Sequence, residues 1–355
     1  MIGIIFCNDL NMCPYIDKYL SVFDELNVDY EIIIWNRMGG ERVFPDNFKV
    51  YNEQSDIYAS KIKKIGAFYR FGRFLNRTIK GGKYDKLVVL TTLPGILCYK
   101  TLIKKYRKKF IFDFRDLGFE KNCIYRNLVK KICKASFFTC ISSPGFREIL
   151  GENNFVIAHN FRYKDIENKV KTIQQPKERI NLLHIGITRG EDYNKRIADI
   201  FGNDERFQIN IVGSGNDTET FLKYVQQFSN ISVVGRYDNI DKQTYIKNAD
   251  MLLYYYPCDF NCNRALANKY YDGLIYKKPL IGNIKTYSGK RLQEKGIGIS
   301  LDLADSNFAN KVYDYMSHLN YDEYLHAAED EFSNVLLEDK LYLARIEEFA
   351  REKIN

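Results

Sequence analysis

Histidine and tryptophan are scarce in this 355-residue chain, with four and one respectively. The histidines, at 159, 184, 318 and 326, build no H-E-x-x-H and no two-His carboxylate cluster, so no protein-held metal is expected. No apolar run reaches the roughly 20 residues that cross a bilayer. The chain enters directly on MIGIIF, without a basic n-region or a small-residue cleavage site, which makes a cytoplasmic protein the expectation. The eight cysteines lack the paired short spacings of a zinc site and read as reduced thiols, several of them inside apolar strands. A G-x-G-x-x-G fingerprint is also missing. The first strand runs into Cys7-Asn8-Asp9, and Gly213-Ser214-Gly215 continues as Asn216-Asp217-Thr218, which disfavours a nicotinamide-dependent oxidoreductase. With no helix-turn-helix, RRM or zinc-finger signature, nucleic acid is not an expected partner.

Apolar residues make up 45% of the chain, and its length exceeds the usual span of one core, so two domains are expected. Strand-like runs occur at 2–6, 31–35, 86–91, 110–114, 137–141 and 155–158, with helical patterns such as 14–26 and 56–80 between them. After a polar stretch containing Pro176, the alternation restarts at 181–186, 208–212, 231–234, 251–255, 279–282 and 298–301. Repeated β–α alternation implies parallel sheets with helices on both faces. The expected organisation is a doubly wound domain at 1–165, a linker at 166–179, a second doubly wound domain at 180–335, and an amphipathic helix at 336–355 returning toward the first. Ligands of such sheets bind beyond the carboxyl ends of the strands, so chemistry is expected in an interdomain cleft.

The net charge of +8 is unevenly placed. Residues 61–83 hold eight Lys or Arg, 100–109 hold six and 121–134 hold five, none with an acid among them. Such faces are either solvated helix surfaces or docking surfaces for nucleic acid, anionic lipid or polyphosphate.

Residues 263–281, NRALANKYYDGLIYKKPLI, carry the most specific pattern: Asp272 inside an amphipathic helix, seven residues before Pro279 and an apolar strand. A carboxylate there can accept two ribose hydroxyls, and Lys269, on the same helical face, can reach phosphates. The alternative is a surface Lys–Asp pair. Tyr270 and Tyr271 read as packing residues. Gly186-Ile187-Thr188-Arg189-Gly190 follows an apolar strand and precedes a helix, a layout in which backbone amides, Arg189 and Lys195 suit a diphosphate. The alternative is an ordinary βα loop with a solvated arginine. Gly213 and Gly215 permit close backbone approach. In FIFDFRD, Arg115 and Asp116 fall at a strand's carboxyl edge, as a satisfied ion pair or as sugar-binding groups, while Asp113 is placed on another face and read as structural. His159 ends the last strand before the linker, as a hydrogen-bonded hinge residue or a base near the cleft floor.

The ordered set NDLNMCPYIDKYL, FDFRD, ISSPGF, VIAHN, HIGITR, IVGSG, VVGRYDN and NKYYDGLIYKKPLIG resembles the GT-B fold glycosyltransferases of family 4, especially bacterial enzymes of capsular or exopolysaccharide synthesis, over nearly the whole chain. The resemblance implies retaining, metal-independent transfer of a sugar from a nucleotide diphosphate donor to an acceptor hydroxyl. It implies a basic pair on the diphosphate, matched by Arg189 with Lys195 or Lys269, and a ribose carboxylate, matched by Asp272. Loops at 213–215 and 235–237, the latter ending in Tyr237, would border the base. The first domain would bind acceptor, with Arg115-Asp116 aligned to the family's His-Asp pair. The acceptor implied is a saccharide, free or linked to polyprenyl diphosphate, with the enzyme peripheral on the inner face of the membrane. Two departures stand out: Arg264 replaces the first of the family's two glutamates, and Arg115 replaces its histidine. Asn261, Asn263 or Arg264 are the replacements available for the missing acid. Alternatives are a nucleotide-sugar epimerase of the same architecture and a catalytically silent relative.

Overall fold

The structure is a computed structural model that describes the chain except residues 40–42, 56–60, 168, 171–178, 189, 216–217, 239–240 and 353–355, and the side chains of 11, 61–63 and 218. It divides into two compact units, residues 1–159 with 337–355, and residues 160–336. In the first unit, β1 (Ile2–Phe6), β2 (Tyr30–Asn36), β3 (Phe48–Asn52), β4 (Lys86–Leu90), β5 (Phe110–Phe114), β6 (Phe138–Ile141) and β7 (Val156–Ile157) form one sheet in the order β3-β2-β1-β4-β5-β6-β7. In the second, β8 (Ile180–Ile185), β9 (Phe207–Val212), β10 (Ile231–Val234), β11 (Met251–Tyr254), β12 (Leu280–Asn283) and β13 (Gly298–Leu301) follow the order β10-β9-β8-β11-β12-β13. The ladders are parallel; Ile4 stands between Ile32 and Val88, and Leu182 between Ile209 and Met251. The expected doubly wound α/β class is what the chain adopts.

Parallel strands form here because the apolar runs can be buried on both sheet faces. Leu183 and Ile185 of β8 enter one core with Leu252 and Tyr270, and Ile180 and Leu182 enter the other with Phe207 and Met251. Strand order reverses at β1/β4 and again at β8/β11, and the carboxyl ends at such reversals are the expected ligand positions.

Two elements differ from the sequence expectation. β3 has no counterpart among the expected strands; it is an edge strand with four partly buried residues and an exposed Asn52, so its apolar signal is diluted. The final helix begins at Tyr321, well before residue 336, and runs to Arg351. Tyr324, Ala328, Phe332 and Val335 join the second unit's core, and Tyr342, Ile346 and Phe349 join the first unit's, along one stripe of helical spacing. Among the described residues no helix is long and apolar enough to cross a membrane.

Candidate functional site

At the β8/β11 reversal of the second unit, the turn after β8 is shaped by two left-handed glycines. Gly186 has φ +110° and Gly190 φ +76°, and the helix Glu191–Phe201 starts directly afterwards. The turn after β9 packs against it backbone to backbone. A Cβ on Gly213, whose φ is +134°, would lie 1.9 Å from the Gly186 carbonyl oxygen, and one on Gly215 would lie 2.1 Å from that of Thr188. Both positions therefore demand glycine for contact reasons. Arg189, the cation expected on this turn, lies outside the described residues. Lys195 is paired with Glu191 on its own helix at 2.5 Å and sits over the Tyr224 ring.

Lys269 and Asp272 come from the helix Asn268–Tyr276 and are both buried. Tyr254 closes the helix start by accepting the Ala267 N–H, and Lys277 ends it in the left-handed region just before Pro279. Tyr270 and Tyr271 are core residues, as expected. The Lys269 ammonium reaches over the carboxyl ends of both central strands. It lies 3.4 Å from His184 Nδ1 of β8, 3.4 Å from the Leu253 carbonyl oxygen of β11, and 5.0 Å from the centre of the Tyr256 ring. The Asp272 carboxylate is held by Lys242 at 2.6 Å. Burial pushes its pKa up while Lys242 pulls it down. Tyr237 is half-buried in the field of Lys242 and Asp272, its hydroxyl pushed up first by burial. A ribose on Asp272 would thus share the carboxylate with Lys242.

Residues 259–264 form a turn in which Asp259 accepts the Asn261 and Cys262 amides. Arg264 donates to the Phe260 carbonyl and stacks over the Phe260 ring. The Asn263 side-chain oxygen is buried and has no hydrogen-bond partner among the described residues.

In the first unit, the expectation that Asp113 lies on a different face from Arg115 is corrected. Residues two apart share a strand face, and Arg115 Nε donates to Asp113 Oδ1 at 2.6 Å with both side chains buried. Arg115 also donates to the Ala158 carbonyl and the Tyr342 hydroxyl, and stacks over Tyr15. The partner of Arg115 at the strand end is therefore Asp113; Asp116, beyond the strand, is exposed. His159 is buried, with Nε2 2.7 Å from Glu338 and its carbonyl accepting from Lys18, which pairs with Asp339 at 2.5 Å.

Two side chains at the site were not singled out from the sequence, His184 and Lys242. Their signal was positional: His184 sits in HIGITR two residues before the turn glycine, a polar residue in an otherwise apolar strand. Burial first, and then the Lys269 charge, hold the His184 pKa well below the usual histidine value. The unfolded chain therefore binds a proton at higher pH than the folded one, so this group's contribution to stability is present above pH ~6.5 and is lost as pH falls toward the folded pKa. Denaturation curves of wild type minus His184→Phe should show that excess slope, at most about 1.4 kcal/mol per pH unit, between pH 6.5 and 5. Superimposable pH profiles would remove His184 as its source.

No protein-family model matches the chain, and no curated protein sequence matches it. Solved structures do. Sucrose-phosphate synthase from Thermosynechococcus elongatus is 12% identical with a TM-score of 0.64, the match covering 97% of this chain and 99% of that one. A lipopolysaccharide outer core galactosyltransferase, WaaB in its apo form, is 14% identical with a TM-score of 0.62, covering 94% and 99%. A UDP-GlcNAc 2-epimerase from Methanocaldococcus jannaschii is 15% identical with a TM-score of 0.55, covering 95% and 100%. The chain is similar to all three in architecture, and with its two doubly wound parallel sheets it has the GT-B fold.

Proposed function

We propose that the protein is a glycosyltransferase that moves a hexosyl group from a nucleotide diphosphate sugar to an acceptor hydroxyl, without metal and with retention of configuration. The observation that carries the reading is the second unit's strand reversal, where Gly213 and Gly215 pack on Gly186 and Thr188 and the buried Lys269 ammonium reaches His184 and the Leu253 carbonyl at the ends of β8 and β11. Backbone amides and a fixed cation at that position suit a diphosphate leaving group. Arg189 and Lys195 extend the cationic set, Asp272 takes the ribose with Lys242 beside it, and Tyr237 borders the base. Asn263 is the proposed sugar contact in place of the missing acid. In the step itself the acceptor oxygen bonds to the anomeric carbon as the carbon–phosphate oxygen bond breaks. The departing phosphate oxygen takes the acceptor proton, so no dedicated base is required. Asp116 is the first unit's remaining candidate for positioning acceptor. Arg115 and His159 act there through the groups they hold.

Nucleotide sugars incubated with and without a lipid-linked saccharide test the reading. A transferase releases nucleoside diphosphate only when acceptor is present, an epimerase alters the sugar alone, and a silent relative does neither. The epimerase alternative is kept because one similar structure is an epimerase. Arg189→Ala should lower turnover by more than about tenfold with the fold intact, from the loss of a charge-stabilising donor; near-normal turnover removes it from this role.

The acceptor proposed is a polyprenyl-diphosphate-linked saccharide of surface polysaccharide synthesis, met at the cytoplasmic membrane face. Support comes from the helix Lys61–Gly81, where Tyr69, Arg73, Asn76, Arg77 and Lys80 line a groove of about 710 Å³ together with Leu97. Exposed Ile65 and Tyr69 lie toward the start of that helix. Exposed apolar side chains set among cations suit an anionic lipid surface. Co-sedimentation with phosphatidylglycerol vesicles should occur at low salt and fall at high salt, and drop further in Arg73→Glu/Arg77→Glu. Absence from the vesicles at every salt concentration would refute the docking.

A further inference from the structure

We propose that the Thr91 side chain contacts the acceptor saccharide, its hydroxyl bonding to a sugar hydroxyl at the carboxyl edge of the first unit's sheet, an assignment that rests on the transferase reading above.

Among the described residues, Asn27, Lys108, Asn203, Lys277 and Thr91 have positive φ without being glycine. Thr91 alone of these has a branched Cβ, and its φ of 70° is combined with a ψ of 170°. That combination is essentially reserved for glycine, so a threonine held there is strained. Thr91 is the N-cap of the short helix Thr92–Leu97, yet its side chain caps no amide. An N-cap residue ordinarily sits in the extended region at negative φ, so capping does not call for the strain. The backbone is fixed from both sides. The Thr91 N–H donates to the Asp113 carbonyl at 2.8 Å, continuing the β4–β5 ladder, and the next residue, Thr92, is buried with its hydroxyl 2.9 Å from that of Tyr125.

Glycine would make this turn without strain. The chain uses it at two strand ends of the second unit, Gly186 after β8 and Gly213 after β9, both at positive φ. A threonine kept at such a position points to a use for its side chain. Thr91 is partly exposed, and its hydroxyl makes no hydrogen bond to the described residues.

Placement and chemistry together define the ligand. Thr91 directly follows β4 at the β1/β4 reversal, where open parallel sheets bind their ligands. Asp116, the acceptor-positioning candidate, lies just beyond the neighbouring strand β5. A neutral hydroxyl both donates and accepts, which matches a saccharide hydroxyl with the same two needs. An anionic group would call for a cation or a set of amides, which this side chain does not supply.

Steady-state transfer from UDP-glucose, UDP-galactose and GDP-mannose to octyl β-glucoside, octyl β-galactoside and octyl N-acetyl-β-glucosaminide tests the contact. Thr91→Val keeps the branched shape and removes the hydroxyl. It should raise the KM of the acceptor used by about fivefold or more, and that of the donor by less than about twofold. Thr91→Ser, which retains the hydroxyl, should stay close to wild type. Thr91→Gly should weaken acceptor use in the same way while raising the melting midpoint by about 2 °C or more, as relief of strain outweighs the added freedom of the unfolded chain. An acceptor KM within twofold of wild type in Thr91→Val overturns the contact, as does an equal rise for donor and acceptor. Should that variant fail to fold, Thr91→Gly decides by the same KM comparison. A Thr91→Gly midpoint below wild type overturns the strain from which the contact is inferred. If wild type transfers to none of the three glycosides, the transferase reading falls as well.

Discussion

Asp113→Ala should destabilise the first unit by about 3–5 kcal/mol, because it strands a buried guanidinium. Asp113 and Arg115 are almost completely inaccessible, and their 2.6 Å pair is joined by the Tyr19 hydroxyl donating to Asp113 at 2.7 Å. Removing the acid takes away the carboxylate paired with Arg115, and the Ala158 carbonyl and Tyr342 hydroxyl to which it also donates are neutral acceptors. Replacing the pair together, Asp113→Leu with Arg115→Met, should recover most of the loss, since the desolvation cost leaves with the charges. The protein carries its own reporter: its single tryptophan, Trp35, is buried in β2 of the first unit, stacked on Phe71. Urea unfolding followed by its fluorescence therefore reads this unit. A shift below about 1 kcal/mol for the single change would show that the network does not hold the unit together.

Lys269→Met should lower turnover by about 10²–10³-fold while leaving the melting transition nearly in place. The substitution retains the buried stem and removes the ammonium over β8 and β11. A preorganised donor aimed at developing charge in a water-poor site typically contributes a factor of this size. Lys269→Arg should restore little, because a planar fork cannot sit over the Tyr256 ring and meet His184 and Leu253 as a compact ammonium does. Steady-state measurement of nucleoside diphosphate release settles it. Turnover within threefold of wild type would move the leaving-group role to Arg189 and Lys195.

Lys195 shows that a candidate cation has to be read together with its own helix. Its spacing from Gly190 suits phosphate, yet Glu191, four residues before it, is a partner that helical geometry brings within 2.5 Å. Asp272 is a similar case. Its place seven residues before Pro279 was visible, while Lys242, thirty positions away, became its partner only when two helices packed. Arg115 was legible as a strand-end residue, but the choice of Asp113 over Asp116 follows from the pleat that puts residues two apart on one face.

The order of elements and the α/β class were written in the chain itself, since apolar β-branched runs alternating with helical periodicity can be buried in few other ways. Glycine at 186, 190 and 213 was likewise visible as composition. Tertiary structure alone decided which groups meet at the β8/β11 reversal: the Lys269 ammonium, the His184 ring and the Leu253 carbonyl come from three separate segments. Local periodicity encodes the face on which a side chain lies. The partners that meet at this reversal are set by long-range packing of sheet and helices, which no window of neighbouring residues contains.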